Sequence, residues 1–93
     1  MTDKEIREAI GEPALLEGLA EEAVELAKEA LKLARILRGE NPTPADEETT
    51  RAAMHLERVD LEIYLDILDI PFDPRAYYSK KCRMKERIRE ADV

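Results

Sequence analysis

Hydrophobic residues recur every three or four positions through most of the chain, which is the spacing of one face of an α-helix. Helix-ending signals divide this pattern. We expect a short first helix from Asp3 to Ile10, closed by Gly11. Pro13 then suits the first turn of a long second helix, which continues without a strong break from Ala14 to Arg38. Gly39 is the natural stop for that helix.

The second half of the chain predicts two more helices. One should begin between Thr43 and Asp46 and extend to about Asp69. The residues Ile70–Phe72 break the pattern, because they contain a proline next to residues of poor helical periodicity. Asp73 is then a good N-cap for a last helix from Pro74 to about Glu90.

The composition supports this helical interpretation, because glycine and aromatic residues are few while Ala, Leu, Glu, Lys and Arg are abundant. We expect a single all-α domain over residues 1–93, arranged as an antiparallel helical bundle with Gly18 as a tolerated interruption. The proline-containing segment 39–44 predicts a stiff connection. The apolar arc of the third helix is wider than one neighbouring helix would cover, which predicts that oligomerisation completes the bundle.

The net charge of −7 argues against binding to nucleic-acid polymers, whose phosphates are held by basic surfaces. The single Cys82 excludes an intramolecular disulfide and a cysteine-rich metal site, and fits a reducing compartment. No apolar run approaches the length of a membrane span. We therefore expect a cytoplasmic protein that does not bind membranes.

Each residue of an α-helix advances by about 100° around the helix axis. By this measure the charged residues of the third helix fall into two groups that face different directions. Glu57 and Asp60 fall in the middle of the aliphatic arc, where an acid must be exposed in a cleft, be paired or bind a metal. The other charged positions form a solvated stripe, which consists of Arg58, Glu62, Asp66 and Asp69.

On the second helix, Glu22 and Glu25 point toward the packed surface and Glu21 lies on the wet side. Four acids from two helices would provide hard oxygen ligands, which favour Mg²⁺ or Mn²⁺ over zinc. The alternative is ordinary surface charge, because the chain has 22 acidic residues among 93. The residue pattern alone leaves these two interpretations open.

The last helix reverses the charge of the chain, with seven Lys and Arg residues against two Glu. Lys80, Arg83 and Arg87 share one face at helical spacing. These cations either pair with the acidic helices and hold the bundle together, or they complete a polyphosphate site beside the metal cluster.

Three segments together resemble the MazG-like all-α nucleoside triphosphate pyrophosphohydrolases, which are relatives of the dimeric dUTPases. Residues 19–33 (LAEEAVELAKEALKL) resemble the first metal helix of that family, Glu57–Asp60 resembles its E-x-x-D motif, and Lys80–Ile88 is similar to its basic helix. The resemblance implies Glu22, Glu25, Glu57 and Asp60 as metal ligands, Glu21 as a group that orients water, and Lys80, Arg83 and Arg87 as triphosphate contacts.

The same resemblance implies a function. Such an enzyme, as a homodimer or homotetramer with Mg²⁺, cleaves a nucleoside triphosphate between the α- and β-phosphates and releases a monophosphate and pyrophosphate. Two other functions fit the residues: a metal- or nucleotide-binding module without turnover, and a structural helical interaction protein.

Overall fold

The computed structural model describes residues 1–40 and 45–91, and these residues form four helices and no strand. The helices are α1 (Asp3–Ile10), α2 (Glu12–Arg38), α3 (Glu47–Ile67) and α4 (Pro74–Ala91). The all-α prediction is confirmed. The predicted stiff connection lies mostly outside the described residues, since it includes residues 41–44. Within the described ranges, no helix is long and apolar enough to cross a membrane.

Side-chain caps start three of these helices where the sequence predicts a start. The Thr2 hydroxyl accepts a hydrogen bond from the Glu5 backbone N–H at 3.1 Å and begins α1. The Asp46 carboxylate accepts from the Thr49 N–H at 2.7 Å and begins α3. Asp73 does the same for α4. Each cap satisfies a backbone N–H that has no partner inside its helix.

Helix ends follow the predicted signals to within two residues. Gly39 ends α2 in the left-handed conformation at φ 69°, which costs glycine little because it has no Cβ. The α3 helix ends at Ile67, slightly before the predicted Asp69. Asp69 itself has φ 59°, which a continuing right-handed helix does not allow.

The two long helices pack against each other and run in opposite directions. Gly18 near the start of α2 faces Tyr64 near the end of α3, and Leu26 in the middle of α2 lies beside Met54 in the first half of α3. Few side chains are fully enclosed between the helices. The buried residues among those described are Leu15, Leu33, Thr50 and Leu68.

The short α1 helix packs on one end of this pair. The Arg7 guanidinium donates a hydrogen bond of 2.7 Å to the backbone carbonyl of Ile67, at the C-terminus of α3. Carbonyls at a helix C-terminus lack partners within the helix and carry partial negative charge, so a cation there is favourable. The contact joins residues 60 positions apart and fixes α1 across the end of the α2–α3 pair.

The α4 helix projects away from the other three. Within residues 1–40 and 45–91, none of its Cα atoms lies within 8 Å of a Cα atom in α1, α2 or α3. The turn before α4 contains Pro71, and Phe72 packs against Tyr77 with ring centroids 5.4 Å apart. One chain therefore forms a helical pair with two appended helices, and its radius of gyration is 17.3 Å, against about 12 Å for a compact domain of this length.

Candidate metal centre

Three of the four predicted ligands converge between α2 and α3. One carboxylate oxygen from each of Glu22, Glu57 and Asp60 lies within 4.8 Å of the other two. Glu22 projects from α2, and Glu57 and Asp60 project from successive turns of α3. The side chains of Glu22 and Glu57 are half-buried, whereas Asp60 is exposed. The antiparallel packing of α2 on α3 thus brings together acids that are 35 or more positions apart in the sequence.

The electrostatic environment of Glu57 is unusual for a carboxylate. Its pKa is raised from 4.5 to about 7, first by a hydrogen bond shared with Glu22 and then by loss of solvent. Repulsion from the negative charges of Glu22, Asp60 and Glu25 adds to this shift. Each cause disfavours the ionised form of Glu57. At neutral pH this group is therefore near its titration midpoint, in contrast to an ordinary surface glutamate.

One carboxylate oxygen of Glu57 lacks a hydrogen-bond partner among the described residues. Glu57 Oε2 is buried and accepts no hydrogen bond from any group among the described residues. Two ionised carboxylates offer only acceptors, so the shared hydrogen bond with Glu22 exists only when one of them carries a proton. A cation placed between the carboxylates would satisfy the same oxygen and remove the repulsion. A proton and a cation would therefore compete for this position.

The size of the cluster suits a hard divalent cation. Mg²⁺ binds oxygen at about 2.1 Å, so two oxygens on opposite sides of the ion are about 4.2 Å apart. The three carboxylate oxygens lie within 4.8 Å of one another, a limit that is a few tenths of an ångström larger than the spacing around Mg²⁺. A small rotation of the exposed Asp60 side chain can bring its oxygen to that spacing. Three carboxylates also leave room for the several waters that Mg²⁺ retains. The donor set fits Mg²⁺ or Mn²⁺.

Glu25 lies next to the cluster without joining it, and Glu21 is not part of the cluster. Glu25 is close enough to raise the pKa of Glu57 by repulsion. Its Oε1 atom lies 3.2 Å from Lys28 Nζ in an exposed ion pair. Such pairs contribute little free energy, so Glu25 remains able to turn toward the cluster. Glu21 is exposed and stands about 100° around α2 from Glu22.

An apolar crevice opens beside the carboxylates. It has a volume of about 300 Å³ and reaches Glu22 and Asp60 at one side. The rest of its lining comes from α1, α2 and α3, and consists of Ile10, Leu15, Ile63, Tyr64 and Ile67. A volume of about 300 Å³ is at the lower end of the range for small-molecule sites. The crevice therefore suits a ligand with an apolar or aromatic part next to a group that a cation binds.

The predicted phosphate-binding cations do not reach the cluster within one chain. Lys80, Arg83 and Arg87 are exposed on α4, which does not pack on α2 or α3. The alternative prediction, that basic residues of α4 pair with the acidic helices, is not realised in one chain either. Throughout the described part of the chain, the ion pairs join residues within α2 or within α3.

Sequence analysis missed two residues that shape the crevice. Gly18 leaves room for Tyr64, because a Cβ at that position would come within 2.5 to 2.7 Å of the ring and hydroxyl of Tyr64. Tyr64 in turn forms a wall of the crevice. A glycine in the middle of a long helix costs about 1 kcal/mol relative to alanine. A glycine inside a helix therefore indicates in the sequence that close packing occurs at that position. It does not identify the aromatic ring of Tyr64 as the group that packs there.

Comparisons of the chain with protein families, with characterised proteins and with solved structures give no match. The function is therefore argued from the geometry of the carboxylate cluster and from the motifs of the sequence.

Proposed function

We propose that the protein is a Mg²⁺-dependent nucleotide pyrophosphohydrolase that cleaves a nucleoside triphosphate between the α- and β-phosphates, releasing a monophosphate and pyrophosphate. The observation that carries the proposal is the convergence of Glu22, Glu57 and Asp60 at the edge of an apolar crevice. A nucleotide has the matching chemistry, with an aromatic base near a polyphosphate that is commonly bound as its Mg²⁺ complex. The MazG-like sequence motifs favour the same reaction.

Each of these residues has a distinct role in the proposal. Glu22, Glu57 and Asp60 would hold the cation, and Glu25 would join them by leaving its exposed pair with Lys28. The bound cation neutralises phosphate charge in the reaction. Glu21, on the solvent side of the cluster, orients the attacking water. The crevice wall formed by Tyr64 contacts the base and excludes water from one side of it.

The proposal also requires an assembly. Lys80, Arg83 and Arg87 would contact the triphosphate, but α4 does not approach the cluster within one chain. We therefore propose a homodimer or homotetramer in which several chains complete the helical bundle. The reaction would take place in the cytoplasm, where nucleoside triphosphates and Mg²⁺ are abundant and the single Cys82 remains reduced.

A pyrophosphate-release assay with a panel of nucleoside triphosphates and Mg²⁺ tests the reaction. We expect a monophosphate and pyrophosphate from at least one substrate, and a loss of at least about hundredfold in kcat/KM in Glu22→Gln and in Asp60→Asn, because each removes a charged ligand. Glu17→Gln on α2 and Glu48→Gln on α3 are matched controls, because both residues are exposed and lie outside the cluster. Equal activity in all four variants would contradict the proposal.

Binding without turnover is the second candidate, and the position of α4 favours it. If an assembly does not bring the cations of α4 to the cluster, the chain retains a metal site without groups for the leaving pyrophosphate. Calorimetry distinguishes the two functions. Binding of Mg²⁺ and a nucleotide without product formation identifies a binding module, whereas absence of both binding and hydrolysis identifies a structural interaction protein.

A further inference from the structure

The exposed surface of one chain is too large for a compact monomer. Its accessible area is 7716 Å², whereas a compact monomer of this mass exposes about 5,500 Å². If two copies each covered the excess, the interface would bury roughly 4,400 Å² in total, which is typical of obligate homodimers. The exposed side chains include many large apolar ones, among them Phe72, Tyr77, Met84 and Ile88. A surface of this size and composition requires a partner.

A cleft lies where α4 leaves α3. It has a volume of about 700 Å³. Leu61, Leu65 and Phe72 are among its apolar lining residues. Its charged lining residues are Glu62, Asp66, Asp73 and Arg58, and Arg58 forms an ion pair of 2.8 Å with Glu62. A cleft with an apolar lining and three acids against one base is complementary to a helix that has an apolar face beside basic residues.

The α4 helix has this complementary character. Tyr77, Met84 and Ile88 follow one another at spacings of seven and four residues, so they form one apolar face, and all three are more than half exposed. Lys81 and Lys85 lie along one side of this face. Lys81 Nζ donates a hydrogen bond of 2.9 Å to the Tyr77 hydroxyl. The first residue of this face, Tyr77, forms part of the cleft lining. The helix as a whole carries seven basic and two acidic residues, whereas residues 1–73 contain 19 acidic and eight basic residues.

The α4 helix cannot easily fold back onto its own chain. Pro71 and Pro74 restrict the turn before it, Asp73 caps its first turn, and Phe72 packs against Tyr77. In this structure the cleft between α3 and α4 is open. A helix inserted there from outside would contact both walls at once.

We infer that this cleft receives α4 of a second copy of the chain, so that two copies exchange their α4 helices reciprocally. The two interfaces are then identical, as two-fold symmetry requires. The two α4 helices then approach each other at Tyr77, which lines the cleft that receives the α4 helix of the other copy. Lys81 and Lys85 of one copy face Glu62 and Asp66 of the other. This pairing does not depend on the carboxylate cluster or on any nucleotide.

A charge-exchange experiment in sedimentation velocity, with EDTA present, tests the inference. The wild type should sediment as a dimer of 10.7 kDa chains. A cleft variant, Glu62→Lys with Asp66→Lys, and an α4 variant, Lys81→Glu with Lys85→Glu, should each dimerise at least about tenfold more weakly because like charges meet at both interfaces. An equimolar mixture should recover dimers, because opposite charges then meet at both interfaces.

The apolar part of the interface has its own control. Ile88→Lys should weaken the dimer at least about tenfold, whereas Ser79→Lys, which adds the same charge on the opposite side of α4, should stay within about twofold of the wild type. Circular dichroism establishes that each variant remains helical. A wild type that is monomeric at every concentration, or charge variants that dimerise like the wild type with no gain on mixing, would overturn the inference. Because EDTA removes divalent cations, neither result depends on the proposed hydrolysis.

Discussion

The α2–α3 pair and the α4 helix are equally well predicted by sequence periodicity, yet they differ in what stabilises them. The pair encloses Leu15 and Leu33 and receives α1 at one end. The α4 helix has comparable capping and an apolar face, but none of its Cα atoms lies within 8 Å of a Cα atom in the described part of α1, α2 or α3. Local signals therefore suffice to specify a helix, whereas its stability in the folded protein depends on the surface it covers.

The largest expected effect concerns the packed pair. Leu15 is 2% exposed, so Leu15→Ala should lower the free energy of unfolding by about 2 to 5 kcal/mol through lost burial and the resulting cavity. Leu31→Ala is the matched control, because Leu31 lies on the same helix and is 62% exposed. Urea denaturation of both variants measures the difference. Equal destabilisation would mean that the solvent-facing side of α2 is also packed.

The contact between Gly18 and Tyr64 should produce the next largest effect. Alanine improves helix propensity by about 1 kcal/mol, but the added methyl group would overlap the Tyr64 ring and cost about 1 to 3 kcal/mol. We therefore expect Gly18→Ala to lower the melting temperature. Adding Tyr64→Leu should recover part of the loss by removing the overlapping ring. An increase in stability from Gly18→Ala alone would contradict this packing.

Capping residues allow a direct comparison of the two regions. Asp46→Ala removes the cap of the packed α3 and should cost about 1 kcal/mol of global stability. Asp73→Ala removes the same type of cap from α4. In a monomer it should increase hydrogen exchange within α4 and leave global unfolding nearly unchanged. If α4 is instead held by a second copy, Asp73→Ala should also weaken dimerisation, which sedimentation detects.

The titration of Glu57 should have the smallest effect on stability, because water screens the charges of a half-exposed cluster. Its pKa is raised from 4.5 to about 7 in the folded chain. The stabilisation by the bound proton is therefore complete below about pH 4.5 and is lost as the pH rises through 7. Without divalent cations, the melting temperature of the wild type should fall over this range relative to that of Glu57→Gln.

Mg²⁺ should reverse this trend. Because the ion competes with the proton for the same oxygens, its stabilising effect on the wild type should be larger at pH 8 than at pH 5.5. Thermal melts at both pH values measure it, and Glu48→Gln serves as the control with an intact cluster. A Mg²⁺ effect that is equal at both pH values would contradict competition at Glu57.

Much of the fold could be predicted because its signals are local. Proline, glycine and aspartate mark the helix ends. The advance of about 100° per residue predicted that Glu22, Glu57 and Asp60 face a shared surface, and one carboxylate oxygen of each lies within 4.8 Å of the other two. The same reasoning predicted a wide apolar arc on the third helix, but one chain leaves Leu56, Val59 and Ile63 of that arc at least half exposed. Periodicity identifies an apolar face without identifying the surface that covers it.

The remaining features depend on distant residues. The close fit of Gly18 against Tyr64 joins positions 46 residues apart, and no local pattern encodes it. The direction of α4 depends on the turn before it. Prolines in that turn predict a change of direction, although they do not determine where the next helix goes.

The contact between Arg7 and the Ile67 carbonyl has a practical consequence for work on this protein. It attaches α1 to the end of α3, and Ile10 at the end of α1 forms one wall of the crevice beside the carboxylates. A bulky fusion partner joined to Met1 would therefore pull on the element that shapes this crevice. Affinity tags at that end should be cleaved before ligand binding is measured, and Arg7→Ala provides a way to learn how far a disturbed α1 changes the result.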